Sequence, residues 1–167
     1  MTIPDVIDDG LDILFCGINP GLYSGATGNH FARPGNRFWP ALHRSGFTPR
    51  QLHPSEKEEL LGLGLGITNI VPRTTARADE LSQDEFKAGA ASLRRKVLKR
   101  KPRWVAPLGL GAYRTGFGQA KATVGPQELA IGETRVWLLP NPSGLNAHYQ
   151  LDALAAEFGR LRAAVGH

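Results

Sequence analysis

The chain has 167 residues, 41% of them apolar, with a formal charge of +5 at pH 7 and a pI near 9.7. That length suits a single domain, residues 1–167, and the basic balance fits a polyanionic partner such as nucleic acid. No stretch approaches the ~20 apolar residues of a membrane span, and Asp5, Asp8, Asp9 and Asp12 make the N-terminus unlike a secretory signal, so a cytoplasmic protein is expected.

Cys16 is the sole cysteine, so no intrachain disulfide and no thiolate zinc or iron–sulfur cluster can be built. Leu11 to Cys16 is a short apolar run that reads as a buried strand. It breaks into Gly17-Ile18-Asn19-Pro20-Gly21, which leaves an amide, Asn19, where ligands bind in open α/β sheets. Residues 21–35 read as a long polar loop, and Asn36 is expected to cap a helix through Phe38, Trp39 and Leu42. A short helix over 54–61 and a strand over 67–71 follow, then a loop over 72–81. Ser82-Gln83-Asp84-Glu85 has capping-box spacing and opens a helix to about Arg100. Its terminal basic cluster reads as a solvated helix end, with phosphate contact as the lesser reading.

Residues 103–108 read as a strand, 109–117 as a short helix, 128–131 and 134–139 as a hairpin, and 149–165 as the last helix. Gly109-Leu110-Gly111 lacks the third glycine of a dinucleotide fingerprint, since position 114 is Arg, and reads as a helix start. Strands alternating with helices predict a three-layer αβα sandwich around a central, mainly parallel sheet. The strand at 136–139 ends in Pro140-Asn141-Pro142-Ser143-Gly144-Leu145-Asn146, which repeats the strand-to-Asn-Pro form of the first strand. Two such ends bring both asparagines to one rim. Each alone is also an ordinary turn.

Gly17 to Gly21 and Asn141 to Leu145 resemble the two signature motifs of the mismatch-specific uracil-DNA glycosylases, the branch that includes thymine-DNA glycosylase. Phe31-Ala32-Arg33-Pro34-Gly35-Asn36-Arg37-Phe38-Trp39 and the run from Gly66 to Thr75 resemble the same family. The resemblance implies an enzyme that flips uracil out of G:U mispairs in double-stranded DNA and hydrolyses its N-glycosidic bond, without metal or cofactor. Asn19 matches the family's catalytic asparagine, which positions the attacking water. An amide has no useful protonation here, so stabilisation of the departing uracil anion and the sugar cation would carry the reaction.

Phe31, an aromatic in a polar loop, is the stacking face for the base or else a loop anchor. Ile18 and Gly21 offer backbone groups to the uracil edge, with Ser24 nearby and Tyr23 as a wall. Asn69 and Asn141 contact the base or the DNA. Asp79 is either a second catalytic group that orients water or a solvated carboxylate. Ser143, Gly144, Leu145 and Asn146 form a duplex-insertion loop with Leu145 as the wedge. The arginine found soon after this motif in close relatives is absent, and Arg33, Arg37, Arg73 and Arg77 are left as phosphate contacts or surface charges.

No lysine is placed as a Schiff-base nucleophile, so a monofunctional enzyme is expected, and no heptad or large apolar stripe demands a partner, so a monomer is too. Activity on thymine or modified pyrimidines stays open. Two other readings stand beside this one: a non-catalytic binder of damaged or abasic DNA, and a small-molecule N-glycosidase.

Overall fold

A computed structural model describes residues 2–167. Five strands form the centre: β1 (Ile13–Gly17), β2 (Leu65–Asn69), β3 (Trp104–Pro107), β4 (Gly125–Ile131) and β5 (Thr134–Leu138). Their order across the sheet is β2-β1-β3-β5-β4, with β4 alone antiparallel. The helices are α1 (Leu22–Thr27), α2 (Phe38–Arg44), α3 (Gln83–Arg100), α4 (Leu110–Gly116) and α5 (Leu151–Val165), and 3₁₀ turns span Pro54–Leu63 and Ala78–Glu80.

Alternation along the strands divides the core in two. Ile13, Phe15, Leu65, Ile67, Trp104 and Trp137 face α2, α5 and the Pro54–Leu63 turn. Leu14, Cys16, Val105, Val136 and Leu138 face α3 and α4. Both faces are therefore covered, and the central strands are buried almost throughout. This is the expected αβα sandwich.

Local departures have local causes. Residues 21–35 are not one long loop, because α1 occupies Leu22–Thr27 and closes on Gly28 at φ 72°. Six residues rich in Gly, Ser and Thr carry no apolar period that would betray a helix. The expected helix over 54–61 is a 3₁₀ run that begins at Pro54 under a His53 cap. Asn36 is not the cap of α2, which is Arg37; it lies one residue earlier, where its Oδ1 accepts from Phe38 N at 2.9 Å and turns the chain into the helix. Capping by Ser82 and Glu85 is reciprocal, as the spacing predicts.

Parallel register sets what lies on the rim. Gly17 pairs with Asn69, Cys16 with Pro107, and Leu108 with Leu139. The chain leaves β1, β2 and β5 at the same edge of the sheet, carrying Asn19, Asn69 and Asn141 with it. β1 lies between β2 and β3, so this edge is a topological switch point, where such sheets bind ligands.

Candidate active site

A cavity of about 170 Å³ opens at that edge. Ile18, Asn19, Gly21, Ser24, Phe31, Asn69 and Asn141 all line it, as does Ser143 from the second loop. Asn19 is held by its amide nitrogen, which donates to Arg73 O and Thr75 Oγ1, both at 2.8 Å. Thr75 gives its own hydroxyl proton to Arg77 O at 2.7 Å, so its lone pair is what receives Asn19. The main chain adds Thr75 N to Pro20 O at 3.2 Å. Thr75 is a positioning residue that the sequence reading missed. Its signal in the sequence was its place at the end of the Gly66–Thr75 run.

Phe31 has φ 52°, in the left-handed region that bulky residues avoid. Its ring stacks on Phe38 with centroids 4.3 Å apart, while its backbone neighbours are tied by Trp39 Nε1 to His30 O and Ala32 N to Ser24 Oγ. Phe31 is thus both a loop anchor and a wall of the cavity. Gly17 permits this closure. A Cβ there would stand 2.7 Å from Asn69 Oδ1 and 3.1 Å from the Phe31 ring.

Asn69 meets His30, Nδ2 to Nδ1 at 3.4 Å. His30 Nε2 lies 2.8 Å from Pro4 O, and a carbonyl only accepts, so Nε2 carries the proton and Nδ1 accepts from Asn69. Burial pushes the His30 pKa below its usual value, against the raising effect of the Pro4 hydrogen bond. A neutral imidazole is the result, and sequence reading gave it no role.

The structure does not bring every expected residue to the cavity. Tyr23 points outward from α1, 49% exposed, and borders shallow neighbouring grooves instead. Asp79 lies on the outer 3₁₀ turn, where Arg77 holds it with two hydrogen bonds of 2.9 and 2.8 Å. Arg73 is bound in the same way to Glu85, at 3.0 and 2.9 Å. Arg33 reaches the cavity mouth and the adjoining cleft; its carbonyl accepts from Asn36 N at 3.0 Å, and its guanidinium makes no hydrogen bond or ion pair among the described residues.

The second loop is shaped by its own polar groups. Asn141 Oδ1 accepts from Ser143 N, Ser143 Oγ from Leu145 N, and Asn146 donates to Asn141 O. Leu145 is left at the tip, 77% exposed. Cys16 is fully buried and its thiol is pushed far up by desolvation, which makes it packing rather than a nucleophile. Among the described residues no three His, Cys, Asp or Glu side chains gather as metal ligands.

The small cavity at the switch edge of the sheet is walled by the rings of Phe31 and His30 and by four asparagines, at 19, 36, 69 and 141, in the place where open α/β sheets bind ligands. Residues 4–162 match the profile of the Uracil DNA glycosylase superfamily, and the chain belongs to that superfamily. A solved neighbour is a Methanosarcina acetivorans protein studied by solution NMR and described as a "putative Uracil DNA glycosylase". It superposes with a TM-score of 0.68 at 18% identity, covering 99% of this chain and 98% of its own. At that identity the likeness speaks for the fold. Family membership supports DNA glycosylase activity, with DNA as the substrate.

Proposed function

We propose that this chain is a monofunctional glycosylase of the mismatch-specific, thymine-DNA glycosylase-like branch, which extrudes uracil from G:U mispairs and hydrolyses its bond to the sugar. The observation that carries the reading is the fixed amide of Asn19 beside Phe31 and Asn69 in one small cavity. About 170 Å³ is well below the roughly 300–1,000 Å³ of sites for drug-sized ligands, so the cavity suits one pyrimidine ring.

An enzyme acting on a base within a duplex must take it out of the stack. In this reading Phe31 receives the flipped ring, an interaction worth ~1–3 kcal/mol. The amides of Asn69 and Asn141 and the backbone at Ile18 and Gly21 meet its polar edge. With its nitrogen committed to Arg73 O and Thr75, Asn19 offers its oxygen to water at the sugar. That oxygen orients the nucleophile without removing a proton. Bond breaking then relies on polar groups stabilising the departing uracil anion. Leu145 enters the vacated stack. Asp79 is the remaining carboxylate candidate; in this reading it stays paired with Arg77 and Asn19 alone orients the water.

The test is uracil release from an end-labelled duplex with one G:U pair, read by alkaline cleavage. Wild type cuts, Asn19→Ala is slower by on the order of 10²-fold, and Asp79→Ala stays near wild type. Loss of activity in folded, DNA-binding Asp79→Ala would bring the carboxylate into the mechanism. A wild type that binds abasic DNA but releases no uracil would replace the enzyme with a damage-binding protein.

A further inference from the structure

We infer that Arg37 is a positioning residue that fixes the second loop and aims Leu145 at the duplex. The inference rests on the reading of residues 141–146 as the inserting loop. Arg37 Nη1 donates to Ser143 O at 3.3 Å, Asn146 O at 2.8 Å and Tyr149 O at 2.9 Å. Its Nη2 donates to Gly144 O at 3.1 Å. The Arg37 main-chain nitrogen adds a bond to Pro142 O at 2.8 Å. One residue therefore gathers the carbonyls on both sides of Leu145 around a single cation.

This geometry has consequences for the loop. Carbonyls turned inward toward a guanidinium leave the tip side chain outward, and Leu145 is the most exposed large apolar residue of the described chain. The guanidinium is itself rooted, because Phe38 and Trp39, the next two residues, are fully buried in the core. The two loops also touch directly. A Cβ on Gly144 would stand 2.5 Å from Gly35 O, so no other residue type fits there without movement. The loop that reads the flipped base and the loop that enters the stack thus form one unit, with Arg37 as its pin.

A flexible wedge must lose conformational freedom on entering DNA, and that cost weakens binding. Arg37 moves this ordering into the folded protein. It acts on base extrusion, through Leu145, and not on bond hydrolysis. A planar fork with several fixed donors is needed for carbonyls in different directions, and a lysine ammonium does not reproduce it.

The experiment compares single-turnover uracil release by wild type, Arg37→Met, Arg37→Lys, Leu145→Ala and the Arg37→Met/Leu145→Ala double variant. One duplex carries G:U. In a second, the uracil faces a bulky aromatic nucleotide that fills the stack and leaves the uracil unstacked. On G:U, Arg37→Met is slowed by about tenfold or more, Arg37→Lys regains little, and the double variant is no slower than the worse single one. On the second duplex Arg37→Met comes within about twofold of wild type, a recovery that general destabilisation would not give.

Equal slowing on both duplexes, or multiplied effects in the double variant, overturns the inference. Amide hydrogen exchange supplies a readout independent of catalysis. Exchange over residues 142–149 rises by about tenfold in the Arg37 variants while the central strands keep their protection, and unchanged exchange there overturns the assignment. Arg37→Lys serves for this measurement if Arg37→Met does not fold. A wild type without uracil release would overturn the proposed reaction, while the exchange result would still decide the role of Arg37 in the loop.

Discussion

Arg73 and Arg77 each hold a carboxylate through two parallel hydrogen bonds, so a DNA phosphate would have to displace a partner already in place. Arg37 is spent on the loop carbonyls. Arg33 alone of the four is uncommitted, and it stands at the cleft between the two loops. Arg33→Gln should therefore weaken binding to all duplex sequences alike and lower the dependence of log K on log salt by about 0.9. Titrations at several salt concentrations check this. Arg73→Gln and Arg77→Gln should change the slope less, and a larger slope change for either would reverse the ranking. In the sequence these four side chains are equivalent. Glu85 was legible as a capping-box residue and Asp79 as a loop carboxylate, but no pattern in the chain says which guanidinium they take.

Helix α3 shows what a local pattern carries. Its capping box and apolar face are short-range features, and both are realised. The capping residue has a second task, since Glu85 also binds Arg73 and so ties α3 to the loop that supports Asn19. Hydrogen bonding from Arg73, then from Ser82, lowers the Glu85 pKa from 4.5 to about 2. The folded value lies below the unfolded one. The contribution is therefore complete above the unfolded value and is lost as pH falls from 4.5 toward 2. Urea midpoints should decline through that window, and Glu85→Gln should flatten part of the decline. Glu56, lowered to about 2 chiefly by Arg50, titrates over the same range and supplies another part. An unaltered acid limb in Glu85→Gln would deny the coupling. By contrast α1 was illegible, because six residues without apolar spacing become helical only when Gly28 closes the turn and Ser24 Oγ binds Ala32 N.

At the scale of the molecule, the site is a product of register. The motifs at 17–21 and 141–145 were readable as strand ends, and the amides at 19, 69 and 141 as candidates. Their meeting depends on pairing between segments some 50 to 120 residues apart in the chain, which short windows do not encode. The support behind them was less legible still. His30 links Asn69 to Pro4, and the adjacent Asp5 binds both Thr68 Oγ1 and Lys96. Burial lowers the His30 pKa below 6.5, so the unfolded chain takes up the proton first on acidification. Stability from the neutral imidazole is intact above 6.5 and is lost as pH falls below it toward the folded value. Denaturation midpoints should fall over that interval, and flat midpoints would mean that the ring titrates freely.

The same N-terminal segment has one further consequence. β2 is an edge strand, and Val6 pairs antiparallel with Ile67 at its middle, N to O at 2.9 and 2.8 Å in the two directions. Unpaired edges are templates on which other chains add strands and aggregate. A single residue, exchanging both of its main-chain bonds, takes that template away at its centre. Protection of this edge and the support behind Asn69 are thereby entrusted to the same few residues.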